Sequence, residues 1–156
     1  MHDGGEMGVR LGWRRISESV VVDAAPAAVF DLLADPKQHR EFDGSTSVLG
    51  LVEGPHRLFL GAKFRMSMHL LMPYRITNEV VEFVDGKVIA WQHFGRHIWR
   101  YELEDLGNNQ TRVTETFDYD KARAPLVLEL LGVPVKNRGS IRVTLTNLQL
   151  RFGSES

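Results

Sequence analysis

The chain has 156 residues, 43% of them hydrophobic and 25% charged, which suits one globular domain with a sizeable core and leaves too little for two. Nineteen basic residues face 20 acidic ones, for a formal net charge of −1. That balance removes the electrostatic argument for binding nucleic acid or an anionic membrane through the whole surface. Cysteine is absent, so disulfides, thiolate metal sites and cysteine nucleophiles are excluded.

Residues 1–12 are glycine-rich and aperiodic. They read as a flexible leader, with Met7 as well placed as Met1 to begin the chain. They contain no apolar run like the core of a secretory signal, and no stretch reaches the roughly 18 apolar residues of a membrane span. A cytoplasmic domain over 13–152, with a frayed tail at 153–156, is the expectation. Arg15–Asp23 alternates and then turns β-branched, which predicts a strand. Pro26 suits the first position of a short helix, with Val29, Phe30 and Leu33 on its apolar face. Asp35-Pro36 ends that helix and starts another, with Asp35 and Gln38 in the spacing of a capping box. Gly44 closes it.

Strands are then predicted at Ser47–Val52, Ala62–Leu70, Tyr74–Val84, Lys87–His93, His97–Asp105 and Thr111–Tyr119. Asp85-Gly86 is the strongest hairpin signal, and Gly107-Asn108-Asn109 marks a further turn. A short helix follows over Leu126–Leu131, broken by Gly132 and Pro134. A main helix then runs from about Val135 to Phe152, with Ile141, Leu145, Leu148 and Phe152 on one face. Gly139 inside it suggests close packing against a neighbour. Strands joined by tight turns pair antiparallel. The order therefore predicts an α+β fold, a curved seven-stranded antiparallel sheet with two short helices and a long C-terminal helix laid across it.

Particular strings carry a resemblance: VVVDAAPAAVFDLLADPKQHREFDGS, PYRITNEVVEFVDGKVIAWQH, WRYELED, TRVTETFDY and NRGSIRVTLTNL. Together they cover about Arg15 to Phe152. In these the chain resembles the START-like or SRPBCC superfamily, and within it the bacterial polyketide cyclase/dehydrase-type proteins. The resemblance implies a helix-grip fold with a cavity between sheet and helix. It also implies functions ranging over lipid carriage, hormone reception, aromatase/cyclase chemistry and chaperone activation.

Strand registers indicate what would line such a cavity. A three-residue loop at Phe94-Gly95-Arg96 sets His93 opposite His97, Trp91 opposite Trp99 and Ile89 opposite Tyr101, all on one face. Gln92, Arg100, Glu102 and Ala90 take the other face, with Ile98 the exception. A five-residue loop over Leu106–Gln110 then sets Leu103 opposite Val113, Tyr101 opposite Glu115, Trp99 opposite Phe117 and His97 opposite Tyr119. The inward face is thus aromatic with a few polar groups, the make-up of a ligand pocket. Glu115 stands out, because a carboxylate on an apolar face is costly unless paired or protonated, and Tyr101 is the partner its register supplies. Met66 and Met68 share a face with Phe64, as core filler or as adaptable apolar lining.

The Asp85-Gly86 hairpin allows two registers. A plain two-residue turn sets Val80 opposite Trp91; a bulge, favoured by the apolar pair Val81 and Phe83, substitutes Val81 and sets Glu79 beside His93. His93 and His97 have the four-residue spacing of a zinc pair but lie on a hairpin with no third ligand in view, so no metal is expected. Lys136, Arg138 and Arg142 read as a solvated face. The first functional reading is a binding or carrier protein for a small hydrophobic or aromatic metabolite, without cofactor, nucleic acid or membrane. A cyclase/aromatase using Glu115, Tyr101, His93 or His97 as proton carriers is the second. A protein-interaction module acting through the outer sheet face is the third.

Overall fold

The computed structural model describes residues 11–45, 47–69 and 71–153. Its strands are β1 (Arg15–Val22), β2 (Val48–Glu53), β3 (Lys63–His69), β4 (Pro73–Val84), β5 (Val88–Gln92), β6 (Ile98–Gly107) and β7 (Gln110–Asp118). They form one antiparallel sheet in the order β1-β7-β6-β5-β4-β3-β2. Its helices are α1 (Pro26–Leu33), α2 (His39–Phe42), α3 (Pro125–Leu130) and α4 (Val133–Phe152), with a 3₁₀ turn at Pro36–Gln38. Leu70 and residues 1–10 and 154–156, which include the end of an expected strand, most of the expected leader and the expected tail, lie outside the described residues. Within the expected leader, Gly12 donates its backbone N–H to Asp118.

The α1–α2 connection follows its sequence signals. Pro26 opens α1 and Pro36 opens the 3₁₀ turn. Asp35 accepts from the Lys37 N–H and from the Gln38 side-chain amide, so the cap is an Asx turn in which Gln38 grips the aspartate side chain rather than its backbone. α4 lies against β1 and β7 and buries Ile141, Thr144, Leu145 and Leu148. It starts two residues before the expected Val135, because Gly132 takes a left-handed φ of 71° and Pro134 fits the first turn.

Gly139 is not the point of close packing. A β-carbon there would meet nothing within 4 Å, whereas one on Gly44 would lie 2.4 Å from the Ser140 carbonyl and 2.6 Å from the Thr144 nitrogen. Gly44 is where the loop before β2 presses on α4, and its N–H is accepted by the Thr144 hydroxyl.

The β5–β6 register is as expected, with Trp91 opposite Trp99 and Ile89 opposite Tyr101. So is that of β6–β7, with Tyr101 opposite Glu115, Trp99 opposite Phe117 and Leu103 opposite Val113. The latter arises differently from the five-residue loop: Asn108 and Asn109 form a two-residue turn with positive φ, and a shift between Asp105 and Gly107 restores the phase. The ladder ends at Ile98 and Asp118, so His97 and Tyr119 are not a strand pair.

The favoured β4–β5 register needs correction. Near the turn Phe83 faces Ile89, but the ladder shifts between Val80 and Glu82, so Val80 faces Trp91 and Glu79 faces Gln92 rather than His93. The bulge exists, yet it lies inside the strand. It allows Phe83 and Val80, an odd number of residues apart, both to turn inward: Phe83 packs edge-on to Phe30 and Val80 is buried.

Candidate functional site

Because the side chains of a strand alternate, the inner face of β5, β6 and β7 carries Ile89 and Trp91, then Trp99, Tyr101 and Leu103, then Val113, Glu115 and Phe117. All belong to or pack on the buried cluster beneath α4 except Glu115, which is buried among them as a polar residue. Tyr101 and Glu115 are 4% and 3% exposed, and the Tyr101 hydroxyl donates to Glu115 Oε1 at 2.8 Å. Glu115 Oε2 is the one buried side-chain polar atom among the described residues with no hydrogen-bond partner. Burial pushes the Glu115 carboxyl up to about 8; the Tyr101 hydrogen bond opposes this and the charge of Asp43 adds to it. Burial also raises the Tyr101 phenol, helped by the charge of Glu115. At neutral pH Glu115 is thus mostly protonated, with Oε1 accepting from Tyr101 and Oε2 carrying a proton to give.

Next to this pair the rings form a continuous wall. Trp91 lies 5.6 Å from Tyr101 and meets Phe64 edge-on. His39, which the sequence reading passed over, stacks on Trp91 at 4.8 Å and contacts Phe42 and Phe64. It is 5% exposed and its Nε2 lies 2.8 Å from the Leu33 carbonyl. That oxygen can only accept, so Nε2 carries the proton. Burial drops the His39 ring to about 4, against the smaller opposing effects of Leu33 and Asp35, and keeps it neutral. The available signal was the three-residue spacing of His39 and Phe42 in a short helix, which sets both on one side.

The second part of the wall lies toward the β5–β6 tip. Trp99 and His97 pack on Phe117 at 4.7 and 5.3 Å, and Phe117 stacks on Tyr119. The His93 and His97 rings are 4.0 Å apart. His93 Nδ1 accepts the Gly95 N–H, which requires the neutral Nε2–H form. Burial lowers both rings, His97 to about 4 with help from the charge of His93. Among the described residues no group of three or more His, Cys, Asp or Glu is arranged to hold a metal. Trp99, His93 and His97 keep partial exposure, so this is the solvent-facing end of the wall.

Met66 and Met68 lie on β3 opposite Ile76 and Tyr74, alternating in phase with Phe64 of the wall. Met66 is buried in the core and Met68 packs against it. A concavity of about 700 Å³ opens elsewhere, beside β2 and the 3₁₀ turn, lined by Lys37, Arg40 and residues 49–54. It includes none of the residues singled out from the sequence. On the outer face, Arg100 bridges Glu82 at 2.6 Å and Glu102 at 2.8 Å, and Ser17 and Thr116 share a hydrogen bond.

A curved antiparallel sheet closed on one long C-terminal helix over an aromatic interior defines a helix-grip protein. The chain belongs to the family described as polyketide cyclase/dehydrase and lipid transport, which matches residues 14–153. It is 41% identical over 149 residues to the uncharacterized protein Rv0088 of Mycobacterium tuberculosis, covering 92% of this chain and 66% of the relative. The chain therefore spans just under two thirds of that relative's length. In fold it is similar to protein Ms6760 from Mycobacterium smegmatis, with TM-score 0.64, 16% identity and coverage of 88% of this chain and 92% of that one. It is also similar to the Polyketide_cyc-like protein Cgl2372 from Corynebacterium glutamicum, with TM-score 0.60, 18% identity and coverage of 86% and 88%. No helix among the described residues is long and apolar enough to cross a membrane.

Proposed function

We propose that this domain binds a small, largely apolar or aromatic molecule on its inner aromatic wall and holds one hydrogen-bond acceptor of that molecule at Glu115. The observation that carries this reading is Glu115 Oε2, a buried oxygen without a partner beside a carboxyl whose other oxygen is held by Tyr101. Leaving such a group unsatisfied costs about 1–3 kcal/mol, which a ligand carbonyl accepting from the Oε2 proton would recover. Family membership supports the class of ligand. Glu115 and Tyr101 are buried, so the ligand enters from the partly exposed end at His93, His97 and Trp99. The charge-paired outer face speaks for this reading over an interaction module.

Native mass spectrometry of protein purified from its own host tests for a retained small molecule. Titration with 2-acetonaphthone against naphthalene, followed by tryptophan fluorescence, tests the polar anchor: the ketone should bind more tightly. Glu115→Leu, which removes the donor, should lower ketone affinity by about two- to tenfold, the range of one hydrogen bond. Equal binding of the two probes, unaffected by the substitution, would sink the anchor.

One observation favours a second reading, a proton-transferring cyclase. A carboxyl held near 8 can give and take a proton at neutral pH, as a general acid–base group must. In that case Glu115→Gln should lower turnover of a polyketide-like substrate by roughly a hundredfold while binding is largely kept.

A further inference from the structure

The register puts the β5–β6 tip (93–97), the β7–α3 link (119–124) and α3 at one end of the sheet. The start of β4, with Leu71 and Met72 before it, runs past β5 to the same end. This end is apolar on its outside. α3 buries none of its residues; Leu126, Val127, Leu130, Leu131 and the adjacent Val135 are between 51% and 87% exposed, and Phe94 is 80% exposed. Leu126 with Leu130, and Val127 with Leu131, are four apart and form two adjoining rows along the helix. Glu129 points the other way, toward Arg14 and Tyr119. Arg123 ties the tip to this helix: it donates to the Phe94 carbonyl, its own N–H reaches the Gly95 carbonyl, and its guanidinium lies 5.1 Å from the Phe94 ring. The leucines and the phenylalanine therefore make one patch rather than scattered surface residues, the kind of exposure that marks an interaction site.

Charge is divided along the molecule. Around the patch stand exposed Arg96, Lys121, Arg123 and Lys136, none of which forms an ion pair among the described residues. Of the acids nearby, Asp120 and Glu129 are engaged by Arg14, and Asp118 is buried and accepts from the Gly12 and Asp120 N–H groups. At the opposite end Asp31 and Asp85 are gathered by Arg57, and Asp105 lies beside the Asn108-Asn109 turn. We infer that this end is a docking surface for an anionic lipid bilayer, with α3 and Phe94 seated among the acyl chains and the four cations on the headgroups. Protruding aliphatic and aromatic side chains ringed by Lys and Arg match the chemistry of that interface. A protrusion with unpaired cations suits a soft anionic surface better than a second copy, whose like charges would meet. The inference is independent of the Glu115 anchor, although it would set the open end of the aromatic wall against a source of apolar ligand.

The test is flotation of the full chain with vesicles of phosphatidylcholine alone and of phosphatidylcholine with about one third phosphatidylglycerol, an interfacial charge of the kind basic patches respond to. The native chain should float with the anionic vesicles, release in high salt, and stay behind with the neutral ones. Leu130→Glu should lower partitioning by about tenfold or more, and Lys121→Ala with Lys136→Ala by several fold. Leu150→Glu, at a residue 76% exposed on α4 at the other end, should leave it unchanged. Because Leu130 is 87% exposed, the fold should survive, and the milder Leu130→Ser with Leu131→Ser repeats the test. No binding by the native chain overturns the inference. So does undiminished binding by both leucine variants, or a native dimer that Leu130→Glu dissociates without any vesicle binding.

Discussion

Glu115 and His39 illustrate how burial sets the charge of single residues, in opposite directions. The folded Glu115 carboxyl titrates near 8 against an ordinary 4.5, so above 4.5 the folded chain keeps a proton that the unfolded chain releases. Stability contributed by that group falls as pH rises toward 8. His39 and His97 titrate near 4 when folded, against 6.5; their contribution falls as pH drops from 6.5 to 4. The opposing effects place the stability maximum near 6.5, with an alkaline limb between 6.5 and 8 due to Glu115. Its slope for one proton is at most about 1.4 kcal/mol per pH unit. Urea unfolding of Glu115→Gln across this range should show that limb flattened; an unchanged limb would mean that Glu115 is ionised in the fold. Glu115 was legible in the sequence because it alternates in phase with Val113 and Phe117, although the turn that sets it opposite Tyr101 is not the five-residue loop expected. His39 was not, because its stacking on Trp91 joins a four-residue helix to a strand some fifty residues away, and no local period connects them.

At the scale of elements, the two glycines near α4 carry opposite expectations. Gly44→Ala would drive a β-carbon into the backbone of α4 at 2.4–2.6 Å, and overpacking against backbone costs roughly 1–3 kcal/mol. Gly139→Ala meets nothing within 4 Å and lies in an exposed helix interior. It should stabilise by about 0.5–1 kcal/mol. Chemical denaturation of the pair, with unchanged m-values, checks both. The sequence reading assigned the close approach to the wrong glycine. A glycine within a helix looks anomalous by propensity, whereas one at a helix end looks ordinary; which of them meets a neighbour depends on where the loop before β2 crosses α4. The β4–β5 bulge is similar. The sequence suggested a bulge from the pair Val81 and Phe83, whereas Val80 and Phe83 are the residues that turn inward, and where the bulge falls depends on Phe30 waiting across the layer to receive Phe83.

For the whole molecule, the outer sheet face is held by ion pairs rather than apolar contacts. Arg100 is 14% exposed at its side chain and Glu82 8%, so Arg100→Ala withdraws a guanidinium from a buried carboxylate. A loss of about 3 kcal/mol is expected, and thermal unfolding measures it; a loss below about 1 kcal/mol would place the pair with solvent-screened surface bridges. The order of the elements along the chain, the antiparallel pairing of consecutive strands, the long C-terminal helix and the residues sharing the inner face of β5 to β7 were legible in the sequence, whereas the place of β1 beside β7 was not. Those features follow from periods of 2 and 3.6 and from turns short enough to count, all local in the chain. Only the tertiary structure decided that Glu115 keeps one oxygen without a partner, that His39 joins the aromatic wall, and that Leu130 and Phe94 face outward on one cation-rimmed end. Each depends on which side chains from distant segments fill the space around it, and on where Arg123 and Arg14 find their partners. Packing and charge pairing across the layers are properties of the folded surface, and no spacing along the chain encodes them.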